Sequence, residues 1–247
     1  MPHRPLILAT GNPGKLREFR ALLRDLPFDL HSLGDLSVAS PEEAGASFVE
    51  NAMLKARHAA TVAAGFRGDW APGVAAIADD SGLEVDALGG APGIYSARYA
   101  GPGADDAANN AKLLRALADI PAGQRRARYR CALVFVSGAK DPEPLIAEGI
   151  WEGSVLDAPR GSGGFGYDPY FWLPDLGLTA AQLDPEDKNR LSHRGIAMRA
   201  LRDQLAARES AALEKAPQEQ APQEQAPQAQ AAQEHSARDR LRVRPNP

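Results

Sequence analysis

The chain has 247 residues and a formal net charge of −4, so it can form one large domain or two small ones and presents no overall basic field for long nucleic acids. Its single cysteine, Cys131, lies in an apolar context, which excludes an intrachain disulfide framework or a cysteine-rich zinc site and favours a cytoplasmic protein. No run approaches about 18 apolar residues and no apolar segment follows the first charges, so we expect no membrane span and no signal peptide.

The first predicted strand, residues 6–9, leads into the tight loop Thr10-Gly11-Asn12-Pro13-Gly14-Lys15 and then into a helix. The helix is predicted because apolar residues recur at helical spacing at Leu16, Phe19, Leu22 and Leu23. A glycine-containing loop at this position favours phosphate binding, since the N–H groups and the dipole of a helix N-terminus attract anions. It differs from a Walker A loop, because Leu16 stands where that motif has Ser or Thr to bind Mg²⁺. A plain strand-to-helix turn is the alternative interpretation.

The second predicted helix starts at a capping box, Ser47 to Glu50, and extends to about residue 64. Lys55 lies on a face of this helix that is otherwise small or apolar. Its side chain either faces a cleft or lays its aliphatic stem along the surface and keeps its charge in water. The loop before the helix is acidic and contains Glu42 and Glu43.

Two adjacent carboxylates, Asp79 and Asp80, follow the apolar run at residues 74–78, which predicts a buried strand that ends there. Because successive strand side chains point to opposite faces, one aspartate at most can enter a given site, and the other needs partners behind it. Carboxylates in an aqueous cleft suit Mg²⁺, which takes one or two of them together with substrate phosphates. The alternative is a solvated turn, because Asp, Ser and Gly are common turn residues.

A second glycine-rich loop, residues 161–169, contains Phe165, Tyr167 and Asp168. Its glycines allow the backbone to approach a ligand closely, and its aromatic side chains can stack on a ring. Around this loop, the sequence pattern predicts a helix at residues 105–118, strands at 128–136 and 144–156, and a final helix from Ser192.

The composition changes near residue 209, after which the chain is rich in Gln, Pro and Ala. The pentapeptide Ala-Pro-Gln-Glu-Gln at residues 216–220 recurs at 221–225. A proline in each repeat prevents a continuous helix, and the segment has no apolar face to bury. We therefore predict a folded domain at residues 1–208 and a disordered tail at residues 209–247.

Taken together, these motifs resemble those of the inosine triphosphate pyrophosphatase family, and within it the bacterial dITP/XTP pyrophosphatase branch. The matching segments are ATGNPGK at 9–15, FVENAMLKA at 48–56, ADDSGL at 78–83, LGGAPGIYSARY at 88–99, GGFGYDP at 163–169, and Lys188 with SHRG at 192–195. They cover most of residues 6–206 in the family's order. Two features depart from the pattern, the longer connector at residues 65–73 and the Gln/Pro-rich tail, and neither touches a motif.

The resemblance implies an α/β fold that is elongated and two-lobed, with a long mixed β-sheet flanked by helices and an active-site cleft between the lobes. It implies a cytoplasmic homodimer that requires Mg²⁺. The expected partner is a small nucleotide substrate, and no binding to nucleic acid or to a membrane is expected. The implied reaction is the hydrolysis of dITP, ITP and XTP, non-canonical purine nucleoside triphosphates, to the monophosphate and pyrophosphate. This activity cleanses the nucleotide pool of deaminated purines.

The resemblance also implies roles for the charged residues. Asp80 is the general base and a metal ligand, Asp79 supports it, and one of Glu42 and Glu43 completes the metal site. The spacing does not distinguish these two glutamates. Lys55 supplies a further cation.

The remaining implied site residues bind substrate. The triphosphate is bound by the loop Thr10-Gly11-Asn12-Pro13-Gly14-Lys15, and Ser81 contacts the substrate. Phe165 stacks on the base within the segment Phe165-Gly166-Tyr167-Asp168, and Asp168, Lys188, His193 and Arg194 surround the edge of the base.

Base choice follows from donor chemistry at His193 and Arg194. Inosine and xanthine carry a carbonyl oxygen at position 6, where adenine carries an amino group. Arginine has only donors, so it can bond the carbonyl oxygen and cannot accept from the amino group. We therefore expect Arg194→Ala to narrow the ratio of ITP to ATP turnover. Guanine shares the carbonyl, and the sequence does not identify what excludes it.

Two other functions fit parts of the sequence. A Maf-like nucleotide pyrophosphatase would perform the same reaction on other nucleotides, but we would not expect the Ser-His-Arg-Gly element there. A non-catalytic nucleotide-binding module would gain little from two adjacent anions, Asp79 and Asp80, beside a phosphate site.

Overall fold

The computed structural model describes residues 4–66 and 73–215, and its main compact unit spans Met1–Ser210. That unit contains a seven-stranded sheet in the order β2-β1-β3-β4-β5-β6-β7. The strands are β1 (Arg4–Leu8), β2 (Phe28–Ser32), β3 (Ala75–Val85), β4 (Arg126–Val136), β5 (Leu145–Val155), β6 (Phe171–Leu173) and β7 (Leu178–Thr179). β1 pairs in parallel with β2 and β3, and the remaining neighbours are antiparallel. The predicted α/β fold with a mixed sheet is confirmed.

Helices cover the sheet on both faces. They are α1 (Pro13–Leu22), α2 (Phe48–Phe66), α3 (Asp106–Ala116), α4 (Pro185–Leu191) and α5 (His193–Lys215), with a 3₁₀ helix at Gly93–Arg98. α2 packs on one face through alanines such as Ala52 and Ala56, against Ala76 and Ala78 of β3. These small side chains let the helix axis approach the sheet closely.

The opposite face of the sheet packs against α1 and α5. Ile77 of β3 and Leu133 of β4 contact Phe19 of α1 and Met198 of α5 in one buried cluster. Residues of β3 therefore alternate between an α2 face and an α1/α5 face, as the period of a strand requires. This alternation continues through the two aspartates and determines where each carboxylate lies.

The prediction that the strand ends at residue 78 is wrong, because β3 continues to Val85. Its residues 76–85 pair with residues 127–136 of β4 along their whole length. Both aspartates are tolerated within a buried strand because each meets buried cations from other elements. The turn interpretation of this segment is excluded for the same reason.

The boundary predicted at residue 209 lies inside α5, which ends at Lys215, so residues 209–215 are helical. The rest of the predicted tail, residues 216–247, lies outside the described residues, as does most of the connector at 65–73. Among the helices that the structure describes, none combines the length and the apolar character that a bilayer crossing requires.

Candidate active site

The loop between β1 and α1 is held by Asn12, which caps the helix. The Asn12 side chain accepts hydrogen bonds from the N–H groups of Gly14 and Lys15 at 2.8 and 3.1 Å, and the Asn12 N–H donates to Thr10 Oγ1 at 3.2 Å. The N–H groups of Gly14 and Lys15 are therefore already bonded within the loop. The strongest anion-binding group of this loop is therefore the charged side chain of Lys15.

Gly14 is required for a close approach between α1 and the second glycine-rich loop. A Cβ atom at this position would lie 2.6 Å from Cδ1 of Phe165, well inside a van der Waals contact. The glycine thus brings the Phe165 ring against the N-terminus of α1, next to the loop that carries Lys15.

The two aspartates of β3 point to opposite faces of the sheet, as predicted. Asp79, on the α1/α5 face, accepts hydrogen bonds at one oxygen from Ser81 Oγ at 2.9 Å and from Arg194 at 3.0 Å, and it pairs with Lys15 Nζ at 3.0 Å. Burial alone would raise the pKa of Asp79, but the charges of Lys15, Arg194 and Lys55 outweigh burial and hold the pKa far below its usual range. Asp79 is a permanent anion that positions two cations.

Asp80, on the α2 face, belongs to a second cluster of charges. Lys55 Nζ lies 2.8 Å from Asp80 Oδ1 and 2.8 Å from Glu43 Oε1, so one ammonium bridges two carboxylates. Asn51 donates to the other oxygen of Asp80 at 3.2 Å, and Arg98 donates to Glu43 at 2.6 Å. Lys55 therefore faces this cluster, and the alternative of a charge kept in water does not apply.

The two carboxylates of this cluster differ in proton affinity. Burial raises the pKa of Asp80 and outweighs the attraction of Lys55. For Glu43 burial is also the largest single effect, but the charge and hydrogen bond of Lys55, the hydrogen bond from Arg98 and the charge of Lys15 together outweigh it and lower the pKa. Asp80 is thus the better proton acceptor of the pair. Glu42, the other glutamate of the acidic loop, is exposed.

Hard oxygen donors in this cluster fit a magnesium ion, which takes one or two carboxylates and completes its shell with phosphate and water oxygens. Asp80 and Glu43 supply two carboxylates that already share one cation, Lys55. Within residues 4–66 and 73–215, no three Asp, Glu, His or Cys side chains converge as metal ligands. Among the described residues, Asp80 and Glu43 thus supply two carboxylate ligands, a number that suits an ion bound largely through triphosphate oxygens.

A third cluster of charges lies beside Phe165. Lys188 Nζ is 2.6 Å from Asp168 Oδ2 and 2.9 Å from Glu18 Oε1, and it lies 4.9 Å from the centroid of the Phe165 ring. Glu18 was not identified from the sequence. Its position three residues after Lys15 on the same helix places both side chains on one face, and that spacing was the available signal.

Arg194 links the clusters on the α1/α5 face. Its side chain is 1% exposed, and it donates to Asp79, to Ser81 Oγ at 3.0 Å and to Glu18. The sequence predicts that this guanidinium lies at the edge of the purine base. In the structure most of its N–H groups donate instead to the carboxylates of Asp79 and Glu18 and to the hydroxyl of Ser81.

His193 is buried and stacks on Tyr129, with ring centroids 4.7 Å apart and an interplanar angle of 12°. Burial, followed by the charges of Arg194 and Lys188, lowers the pKa of His193 well below its usual value, so the ring is neutral at pH 7. Its Nδ1 atom is buried without a hydrogen-bond partner in the part of the chain that the structure describes. A bound ligand can satisfy that atom.

A cavity of about 280 Å³ lies between the Lys15 loop, the Phe165 loop and the start of α5. Its volume is close to the lower end of the range for ligand pockets, roughly 300–1,000 Å³. Of the predicted substrate-binding residues, its lining includes Asn12, Lys15, Ser81, Phe165, Gly166, Tyr167, Asp168, Lys188, His193 and Arg194. Asp80, Lys55 and Glu43 lie on the other face of β3. The cavity is therefore lined by the residues predicted to bind the purine, and Asp80, the predicted general base, lies on the other side of β3 from it.

Known proteins share the sequence pattern and the fold of this chain. The model of the Ham1 family matches residues 6–204. A relative from Xanthomonas campestris pv. campestris (strain 8004), named dITP/XTP pyrophosphatase, is 55% identical over 202 residues, which cover 82% of this chain and 97% of the relative. A protein of the same name from Methylococcus capsulatus is 55% identical over 204 residues, or 83% and 97% of the two chains. The solved structure of a HAM1 protein from Coxiella burnetii superposes with a TM-score of 0.72 at 43% identity, covering 83% of this chain and 99% of that one.

Proposed function

Since the chain belongs to the Ham1 family, we propose that it hydrolyses non-canonical purine nucleoside triphosphates, dITP, ITP and XTP, to the monophosphate and pyrophosphate. It is a nucleoside-triphosphate pyrophosphatase, and its biological role is to cleanse the nucleotide pool. The observation that carries the proposal is the pair Asp79 and Asp80, each fixed by buried cations on opposite faces of β3. One carboxylate organises the nucleotide cavity, and the other is available for proton transfer.

Hydrolysis at the α-phosphorus requires neutralised phosphate charge and a positioned water more than covalent help from the protein. We assign the triphosphate to Lys15, Asn12 and Ser81, which line the cavity beside Asp79. β1 pairs only with the start of β3, so a triphosphate in the cavity can extend past the edge of β3 to its other face. There Asp80 accepts the proton of the attacking water, for which a pKa raised by burial suits it. A bond forms between the water oxygen and the α-phosphorus, the bond to the bridging oxygen breaks, and pyrophosphate leaves.

We assign Mg²⁺ to Asp80 and Glu43, the two carboxylates bridged by Lys55, and not to the exposed Glu42. When bound, the ion neutralises charge on the triphosphate oxygens. Lys55 holds both carboxylates close together, and Asn51 orients Asp80 by donating to its second oxygen. These contacts prepare the two ligands before substrate arrives.

The base is held by stacking on Phe165 and by donors at its edge. His193 has a buried Nδ1 without a partner among the described residues, and in the tautomer that carries its proton on Nδ1 it can donate to the 6-carbonyl oxygen of inosine or xanthine. Adenine presents an amino group there and would leave the Nδ1 donor of that tautomer unpaired, at a cost of about 1–3 kcal/mol. Asp168 and Lys188 form an ion pair on the same side of the cavity and fix the Phe165 loop.

The experiment that tests this function is a panel of nucleoside triphosphates. We expect kcat/KM to be higher for ITP, dITP and XTP than for ATP and GTP, with little discrimination at the ribose, because the contacts described fall on base and phosphate. Pyrophosphate release is measured with inorganic pyrophosphatase as the coupling enzyme. Equal turnover of ATP and ITP would contradict the proposed specificity, preference for pyrimidines would favour the Maf-like alternative, and binding without turnover would favour a non-catalytic module.

We further propose that the protein acts as a homodimer in the cytoplasm. The resemblance to the family is the main support. Large apolar side chains that remain exposed on the single chain, such as Tyr95 and Ile150, are compatible with a partner surface.

A further inference from the structure

The loop that carries Phe165 is bonded to α3 at a single residue, Gly166. The Gly166 N–H donates to Asp106 Oδ2 at 2.6 Å, and the Gly166 carbonyl accepts from Asn110 Nδ2 at 2.8 Å. Gly166 has a φ of 63°, in the left-handed region that a glycine adopts without strain. Both polar groups of this residue are therefore held by one helix.

The two hydrogen bonds fix the peptide planes that follow Phe165. The Gly166 N–H belongs to the peptide that joins Phe165 to Gly166, and the Gly166 carbonyl belongs to the next peptide. Because a peptide is planar, holding its N–H or its carbonyl sets the direction of the backbone on both sides. The Phe165 N–H donates in addition to Asp168 Oδ2 at 2.9 Å. The backbone of Phe165 is thus bonded on both sides, and α3 provides one of the two anchors.

α3 is itself attached to a rigid part of the fold. Asn109 accepts from the Ala100 N–H at 2.8 Å and donates to the Ala97 carbonyl at 3.2 Å, which joins the helix to the 3₁₀ helix Gly93–Arg98. Leu113 on the next turn is fully buried in the core beside β3 and β4. Asn110 also donates to the Asp106 carbonyl at 2.7 Å, so the two side chains that hold Gly166 are linked through the first turn of the helix.

We propose that Asp106 and Asn110 are positioning residues for base recognition. Through the two peptides of Gly166 they hold the Phe165 ring in the orientation in which the purine stacks on it. This inference rests on the proposed function, because it concerns the ring on which the purine stacks. Functional groups need support from neighbours to keep their geometry, and a loop ring without such support samples other orientations. Asp106 acts here through its acceptor oxygen, so an asparagine at this position can replace it.

The test compares Asp106→Ala and Asn110→Ala with a matched control, Asp105→Ala. Asp105 is the N-cap of α3 and accepts from the Ala108 N–H at 2.8 Å, so its replacement weakens the same helix without removing a bond to Gly166. We expect the two positioning variants to raise KM for ITP about tenfold, a size typical of lost base stacking, with kcat nearly unchanged. Asp105→Ala keeps the KM of the parent protein, and Asp106→Asn restores most of the affinity that Asp106→Ala loses.

A double-mutant cycle with Phe165→Ala separates positioning from a direct contact between Asp106 and the nucleotide. If Asp106 acts through the ring, Asp106→Ala adds little to KM once the ring is absent. Additive effects, an unchanged KM in Asp106→Ala, or an Asp106→Asn variant as impaired as Asp106→Ala would each overturn the proposal.

Hydrogen exchange of residues 161–169 in the nucleotide-free protein provides a measurement that does not depend on activity. We expect faster exchange in Asp106→Ala and in Asn110→Ala, but not in Asp105→Ala, because both positioning variants remove a bond to Gly166. Unchanged exchange in these variants would overturn the proposal. Absence of ITP turnover in the unmodified protein would count against the proposed function instead, and the exchange result would still decide whether α3 orders the loop.

Discussion

Replacing Asp80 with Asn is expected to lower kcat for ITP on the order of 10²-fold or more, the usual contribution of a general base. The substitution keeps the shape of the side chain and removes the charge that accepts the proton of water. The cavity residues lie on the other face of β3, so nucleotide binding is retained. Single-turnover kinetics and a direct binding titration separate the two effects.

Glu42→Gln is the matched control for this variant, because Glu42 is an exposed carboxylate of the acidic loop next to Glu43. Its kcat is expected to stay near that of the parent protein. An Asp80→Asn protein that kept most of its turnover would contradict the assigned base. Glu43 would then be the next candidate for the base. Asp79 is excluded, because the cations around it hold the pKa of Asp79 far below its usual range.

Replacing Arg194 with Ala is expected to give the largest loss of stability. The change leaves the buried carboxylates of Asp79 and Glu18 without one of their cations. Breaking such a buried pair costs about 3–5 kcal/mol, which corresponds to a decrease in Tm of about 6–20 °C for a domain of this size. Calorimetry measures the decrease, and Arg199→Ala, which removes an exposed arginine of the same helix, is the control.

The effect of Arg194→Ala on specificity distinguishes two roles. If Arg194 donates to the purine base, as expected from the sequence, the ratio of ITP turnover to ATP turnover becomes smaller in this variant. In the structure the guanidinium donates to Asp79, Glu18 and Ser81, so we expect the turnover of ITP and the turnover of ATP to fall by a similar factor. Both rates are measured at a temperature below the Tm of the variant. A selective loss of ITP turnover would show that Arg194 also reads the base.

Local sequence patterns predicted the elements that carry the site. The loop before Lys15, the Ser47 side chain that caps the start of α2, and the alternation that separates Asp79 from Asp80 depend on residues close together in the chain. The extent of β3 was not predictable in this way. Two adjacent carboxylates are unfavourable in a buried strand unless cations neutralise them. The cations are Lys15, Lys55 and Arg194, which come from three separate helices, and local sequence does not show that they meet the aspartates.

The contacts that sequence reasoning missed connect distant parts of the chain. Glu18 contacts Lys188 and Arg194, at sequence separations of 170 and 176 residues. Glu42 and Glu43 were indistinguishable because spacing does not reveal which side chain faces Lys55. The role of Arg194 was ambiguous for a chemical reason, since a side chain with only donors can bond either a carbonyl oxygen or a carboxylate.

In the proposed reaction, water attacks the α-phosphorus of a non-canonical purine nucleoside triphosphate. This step is tested by hydrolysis of ITP in ¹⁸O-labelled water with Mg²⁺, followed by mass spectrometry of the products. We expect equal amounts of inosine monophosphate and pyrophosphate, with the label in the monophosphate. Label in pyrophosphate would place the attack at the β-phosphorus, and formation of inosine diphosphate with labelled phosphate would place it at the γ-phosphorus. Either result would contradict the assignment of this site.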